Sequence, residues 1–513
     1  MRVGLTALFV VAASAPAVAQ GLLRVAVPEI PILLDPQRAV TSAERALAAE
    51  VFMGLVTHDA EGRPVPGIAE SWAVSGDGRR YVFTLRRGLA WSDGRDLVAA
   101  DVVAGLERAL DPATAAPAAP LLLPIRNAAE FQLGTLPPGE GLGATAPDDR
   151  TVMIELAGPS ARFLHILAEP VAMPVPRHRL RALGEAWSQP FVVVGNGPFD
   201  PVPAGDRWAL VRNPRYVGPD PPQVERVELV AAADPRTAVL AAGVDMALGF
   251  DAEPRRNDDP ADAMRGEAGQ DTYRLVVNMQ RPPLDRREVR HALAMAIDRD
   301  EAIAEADLAD AAPAYALVPA TPDGRYRSPR APFARLSQAD RITVAQALLL
   351  DVDRDAPIAV RLAVPFGDTH RAIARVIAAN WREIGFQAEI SERAAADHER
   401  ALLAGDFDVA VLTGNGRDTD PWPYLSRFSR AATVWNVARY AETPFDERFA
   451  VADLETDVES RLGYLRSAEA VLVEDQVVWP LFQFAAVGPV GPRVAGWTGN
   501  LVSRHPLRLV AVP

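Results

Sequence analysis

At 513 residues the chain is too long for one compact core, and at roughly 100–200 residues per domain it is expected to form about three. It is 49% hydrophobic and 23% charged, the balance of a soluble globular protein, and its lack of cysteine excludes a disulfide framework and any cysteine-based zinc site. The net charge is -14, all 53 basic residues are arginine, and no long basic run occurs, so the positive footprint needed for phosphate backbones is missing and nucleic acid is not an expected partner.

In chain order, Arg2, the apolar run Val3–Ala13 and the small residues Ala17-Val18-Ala19 read as a secretory signal (residues 1–19), with cleavage after Ala19. The run is shorter than the roughly 20 residues of a membrane span, and no lipobox cysteine follows, so a soluble periplasmic protein is expected. Leu22–Val27, ahead of Pro28, predicts a strand. Thr41-Ser42-Ala43-Glu44 is a capping box that starts a helix running to about Met53. Residues 70–87 predict a hairpin: Tyr81, Phe83 and Leu85 alternate with Val82, Thr84 and Arg86, and Ser75-Gly76-Asp77-Gly78 supplies the turn. A helix near Ala99 carries Val102, Val103, Leu106, Ala109 and Leu110 on one face, with Val98 offering no side-chain cap. Residues 111–147, rich in Pro, Gly and Ala, are expected to be surface connections, and Arg150–Leu156 a strand. Residues 251–269, with many charges, Pro254 and Pro260, read as a loop or degraded element. Further on, Ile358, Val360, Leu362 and Val364 alternate. A helix over His370–Gly385 then places Ile373, Val376, Ile377, Trp381 and Ile384 together, and Phe386–Ile390 and Asp408–Leu412 read as strands. That order predicts a parallel pair with a right-handed crossover.

Between Gly54 and Pro112 stand Gly54-Leu55-Val56, Ala69-Glu70-Ser71-Trp72, Asp77-Gly78 followed by Tyr81, Phe83, Leu85 and Gly88, then Trp91-Ser92-Asp93-Gly94 and Asp101-Val102. In this order and spacing they resemble the signature of the family 5 extracellular solute-binding proteins of ABC importers, which include the oligopeptide- and dipeptide-binding proteins. Leu34-Asp35-Pro36, Gly195-Asn196-Gly197-Pro198-Phe199, Asn213-Pro214-Arg215-Tyr216 and Asn278-Met279-Gln280-Arg281-Pro282-Pro283 extend the resemblance along the mature chain, and Trp497-Thr498-Gly499-Asn500 leans toward the oligopeptide-binding branch. The resemblance implies an α/β, periplasmic binding protein-like fold (type II, cluster C): two hinged α/β lobes with an extra α+β domain on the first. Lobe I is expected to be discontinuous (20–50, 157–272, 488–513), the extra domain to span 51–156 and lobe II 273–487.

The resemblance also implies a site in which a peptide adds as a strand. Val40, Thr41 and Ser42 on one side, and Thr413, Gly414, Asn415 and Gly416 on the other, are the implied pairing segments. The position of the family's amine-anchoring Asp falls on Arg417, which reverses the charge, with Asp418 and Asp420 close by. His370 matches a histidine near the ligand's C-terminus, whereas the family's other cationic positions fall on Leu402, Val411 and Asp307, and two tryptophan positions on Gly414 and Ala395. Blocked, acidic or non-peptide ligands are therefore expected to do better here than free-amine peptides. The implied partners are a peptide or peptide-like solute and an ABC transporter permease and ATPase at the inner membrane, with the protein itself a monomer. Neither cofactor nor metal is expected, and no catalytic residue: Gly-x-Ser-x-Gly, His-Glu-x-x-His and P-loop patterns are missing and the seven histidines are scattered. The rival readings are a non-transport binding module (an envelope sensor or assembly factor) and an envelope hydrolase.

Overall fold

The structure, a computed structural model, describes residues 21–136, 140–160, 162–205, 207–250, 253–320, 324–352, 357–412, 420–455, 457–500, 502 and 504–513, excepting the side chains of 433 and 434. Leu22–Val27 is the strand expected. It buries Leu23, Val25 and Val27 on one face and Ala26 on the other, leaves Arg24 exposed, and pairs in parallel with Arg226–Ala231 and Met246–Ala247. Arg207–Arg212 and Phe199–Ala204 extend this five-stranded sheet in antiparallel fashion.

The signature residues build a second sheet, ordered Ala69–Val74, Arg80–Leu85, Thr151–Glu155, Ala144–Asp148 and antiparallel throughout. Tyr81, Phe83 and Leu85 turn inward as the alternation predicts, against Val102, Leu106 and Leu110 of the helix Ala99–Leu110. Gly78 turns the hairpin at φ +70, a left-handed conformation that glycine adopts without strain. Residues 111–147 differ from expectation. They hold a helix, Ala128–Leu133, and the strand Ala144–Asp148, and Leu122, Ile125 and Ala128 are buried, because these side chains close the end of the signature core. One apolar core runs continuously from Leu23 and Val25 of the first sheet to Phe83 of the second and Val102 of the helix packed on it.

The third sheet is ordered Glu253–Pro254, Val478–Pro489, Met264–Val277, Val409–Val411, Ile358–Pro365, Phe386–Arg393, with Ala312–Pro313 also beside Val478–Pro489. Ile358–Pro365 and Phe386–Arg393 are parallel, in register from Ile358 opposite Phe386, and the helix Asp368–Glu383 connects them, as expected. The stretch 251–269 does not stay a loop. The 14-residue strand Met264–Val277 begins inside it, because backbone pairing with Val478–Pro489 holds even its polar first half. Successive residues of that strand serve opposite faces, Leu275 and Val277 in one core and Val276 in another. The expected lobe boundaries at 272/273 and 487/488 fall inside the two long strands Met264–Val277 and Val478–Pro489.

Candidate functional site

The chain leaves the first sheet at Val27 and reaches the helix Ser42–Val51 facing the second lobe. The capping box forms as read from the sequence. Thr41 Oγ1 accepts from Glu44 N–H at 3.2 Å, and the Glu44 carboxylate accepts from Thr41 N–H at 2.9 Å and Val40 N–H at 2.7 Å. Arg45 donates to Val40 O at 2.6 Å and to Ser42 Oγ at 3.0 Å. Ser42 then reaches across the gap: its N–H and hydroxyl donate to the two carboxylate oxygens of Glu399 at 2.9 and 2.7 Å. Glu399 lies on the helix Ala395–Ala404 of the second lobe. Further contacts cross the gap, among them an Arg400–Glu29 ion pair and the Arg45 guanidinium 5.0 Å above the Trp435 ring.

Between these contacts lies a cavity of about 90 Å³, walled by Ser42, Pro235 and Phe250 from one side and by Arg274, Phe366, His370, Ala395 and Glu399 from the other. That volume holds a few waters. A small-molecule pocket spans roughly 300 Å³ or more, so a peptide-sized solute enters only when the lobes part.

The cations of this wall are engaged. Arg274 donates to Asp271 at 3.1 Å and to Thr272 O at 2.8 Å, and Arg236, behind the wall, to Glu253 at 3.0 Å. His370 shares a 2.8 Å hydrogen bond between Nδ1 and the Tyr273 hydroxyl, and Tyr273 stacks on Phe482. Burial, reinforced by His398 and Arg236, pushes His370 down to about 3, so its ring is neutral at physiological pH. His398, whose Nε2–H donates to Val411 O at 2.8 Å, is pushed down by burial to about 4.

Residues 63–436 match the family model for bacterial extracellular solute-binding proteins, family 5. The chain belongs to that family. This solute-binding protein is 28% identical over 498 residues (95% of this chain, 92% of the relative) to the probable deoxycholate-binding periplasmic protein YgiS of Escherichia coli K12. It is 28% identical over 481 residues (91% and 88%) to the periplasmic oligopeptide-binding protein OppA of the same strain. The structure of the E. coli murein tripeptide binding protein MppA superposes with a TM-score of 0.84 at 25% identity, covering 96% of this chain and 98% of that one. The unliganded open form of MppA gives only 0.62 at 26% identity over the same coverage. The fold is thus that of the type II periplasmic binding proteins, and the lobes do not stand as in that open form.

Of the site residues read from the sequence, Ser42 and His370 line this cavity, and Val40 and Thr41 precede Ser42 at the start of its helix. The polar backbone groups of Val40–Ser42 that strand addition would use are already engaged, by Glu44, Arg45 and Glu399. His370 stands at the cavity, as a neutral ring rather than a cation. Asp420 has a different role from the one read for it. Its carboxylate takes Arg461 at 2.7 and 3.2 Å and the Trp422 N–H at 2.8 Å, which fixes the start of the short helix Trp422–Ser426. Thr413, Gly414, Asn415, Gly416, Arg417 and Asp418 lie outside the described residues. Sequence reading missed Glu399, Glu253 and Arg274. Glu399 sits in Asp397-His398-Glu399-Arg400, which reads as a solvated helix face, and its partner is 357 positions away. Among the described residues no group of His, Asp or Glu gathers as metal ligands, and no helix is long and apolar enough to cross a membrane.

Proposed function

We propose that this chain is the periplasmic binding component of an ABC importer for peptides or peptide-like solutes. Residues 1–19 direct export, the mature protein acts as a monomer, and the solute passes unaltered to a permease and its ATPase. The observation that carries this reading is the cleft itself, where two lobes present polar groups to each other across a cavity. The ligands for which OppA and MppA are named, oligopeptides and a murein tripeptide, supply the ligand class. A bound solute favours closure only to the extent that it binds the closed arrangement better than the open one. Val40–Ser42 and Thr413–Gly416 form the pairing walls in this reading, and Arg417 the position where a family anchor is reversed.

The test is thermal unfolding and calorimetry of the mature protein against short peptides, their N-acetylated forms and deoxycholate. A true ligand at 100 times its dissociation constant adds about 2.7 kcal/mol of stability. Peptide binding with compaction in solution scattering is the expected result. Binding of deoxycholate with no response to any peptide overturns the peptide reading in favour of a non-peptide solute, the alternative to which the similarity to YgiS points.

A further inference from the structure

Glu399 is the one acidic group of the described cavity wall that bonds directly to the opposite lobe. Its two oxygens take both donors of Ser42, the first residue of a ten-residue helix, and the Arg45 guanidinium stands 4.0 Å away. A helix start favours negative charge through its free N–H groups and its dipole. Here the chain's own carboxylate fills that place whenever the lobes meet. The other charges around the cavity do not reverse this bias, because they pair off: Arg236 with Glu253 and Arg274 with Asp271, while Arg45 donates to Val40 O. A carboxylate accepts about four hydrogen bonds and Ser42 uses two, so Glu399 keeps capacity for donors from a ligand.

We propose that Glu399 is a specificity-determining residue that admits cationic or neutral donor groups of the solute to this part of the cleft and excludes carboxylates. The inference rests on the peptide reading above and narrows it to peptides that place an ammonium, guanidinium or amide, not an acid, beside Ser42. It opposes the preference expected from Arg417 alone, because Glu399 puts a negative charge on a wall where the sequence suggested only a lost one.

A tripeptide series carrying Lys, Gln or Glu at each position in turn, titrated calorimetrically into the wild type, Glu399→Gln and Glu399→Ala, tests it. The expected result is one position at which Glu binds at least about tenfold more weakly than Gln or Lys, a gap of about 1.4 kcal/mol, and which Glu399→Gln levels while leaving the other positions alone. A gap that survives Glu399→Gln overturns the proposal. A second measurement needs no peptide: propionate, the side-chain acid itself, should raise the unfolding temperature of Glu399→Ala but not of the wild type, and propionamide should not. Equal effects of propionate and propionamide on Glu399→Ala also overturn the proposal. Failure of every peptide together with a selective propionate effect refutes the peptide reading and leaves the role of Glu399 standing.

Discussion

The signature-bearing domain and the cleft use the same kinds of polar residue for different ends. In the former, motif residues bond within the scaffold. Asp101, buried to 6% exposure, accepts from Val98 N–H at 3.1 Å, from Trp91 Nε1 at 3.4 Å and from Arg177 at 2.7 Å. Asn196 clasps both backbone groups of Met53 at 2.9 and 3.1 Å, and its flanking Gly195 has no room for a side chain, since a Cβ would stand 2.1 Å from Val51 O. In the cleft, the hydrogen bonds between Ser42 and Glu399 form only once the two lobes meet. These motif residues therefore fix the scaffold, while the Ser42–Glu399 pair stands apart from them, at the meeting of the lobes.

If that division holds, perturbing the interior changes stability and leaves ligand ranking alone. The largest effect expected is on pH dependence. Burial pushes Glu50, in the first core, and Glu469, in the second lobe, from near 4.5 up to about 7, against the partial relief of Leu507 N–H for one and of Tyr326, Ser328, Val318 and Leu317 for the other. Between pH 4.5 and 7 the folded chain holds protons on Glu50 and Glu469 that the unfolded chain has lost, so the contribution of these two groups is full below about pH 4.5 and is lost through this window. His370 and His398, buried and neutral, act in the opposite sense below about pH 6.5. At 1.36 kcal/mol per unit, each carboxyl accounts for about 3 kcal/mol. Denaturant unfolding at pH 5 and pH 8 should show Glu50→Gln or Glu469→Gln each removing about that share of the fall, so that the variant loses less stability, or gains more, between the two pH values than the wild type. A variant with the wild type's pH dependence would show that carboxyl to be wrongly assigned. Next, Asp101→Ala should cost about 2–3 kcal/mol, mainly by stranding the Val98 N–H and the Trp91 indole, since Arg177 is solvated enough to keep its own water. Denaturation midpoints check the loss, and an accompanying change in ligand charge preference would break the division.

The two regions also differed in how far they could be read in advance. Alternation over Tyr81–Leu85 and helical spacing over Ile373–Trp381 are local, and both elements stand where the periodicity put them. Met264–Gln270 was illegible because it is polar: pairing with Val478–Pro489, more than 200 positions on, makes it a strand. His370 could be placed by its motif, but its charge could not, because that depends on burial beside Tyr273 and His398. Asp420 looked like a substitute anchor beside Arg417, yet Arg461, 41 positions later, takes its carboxylate. Nothing in the run Ala395-Ala396-Asp397-His398-Glu399 signals a partner in the other lobe.

The smallest effect separates closure from selection within the cleft. Arg45 shares the gap with Glu399, but its main interaction across it is with an aromatic face, the Trp435 ring at 5.0 Å, while its hydrogen bonds stay inside its own lobe at Val40 O and Ser42 Oγ. A cation–π contact at a partly solvated site contributes about 0.5–1 kcal/mol. Arg45→Ala should therefore weaken every ligand by about two- to fivefold, because closure is a step common to all of them and the contact does not sense ligand charge. Glu399→Gln should instead change the order of the ligands. Calorimetry of one acidic, one neutral and one basic peptide against both variants distinguishes a uniform shift from a re-ranking. A re-ranking on Arg45→Ala would mean that the guanidinium holds Glu399 in place, and that closure and charge selection are one interaction rather than two.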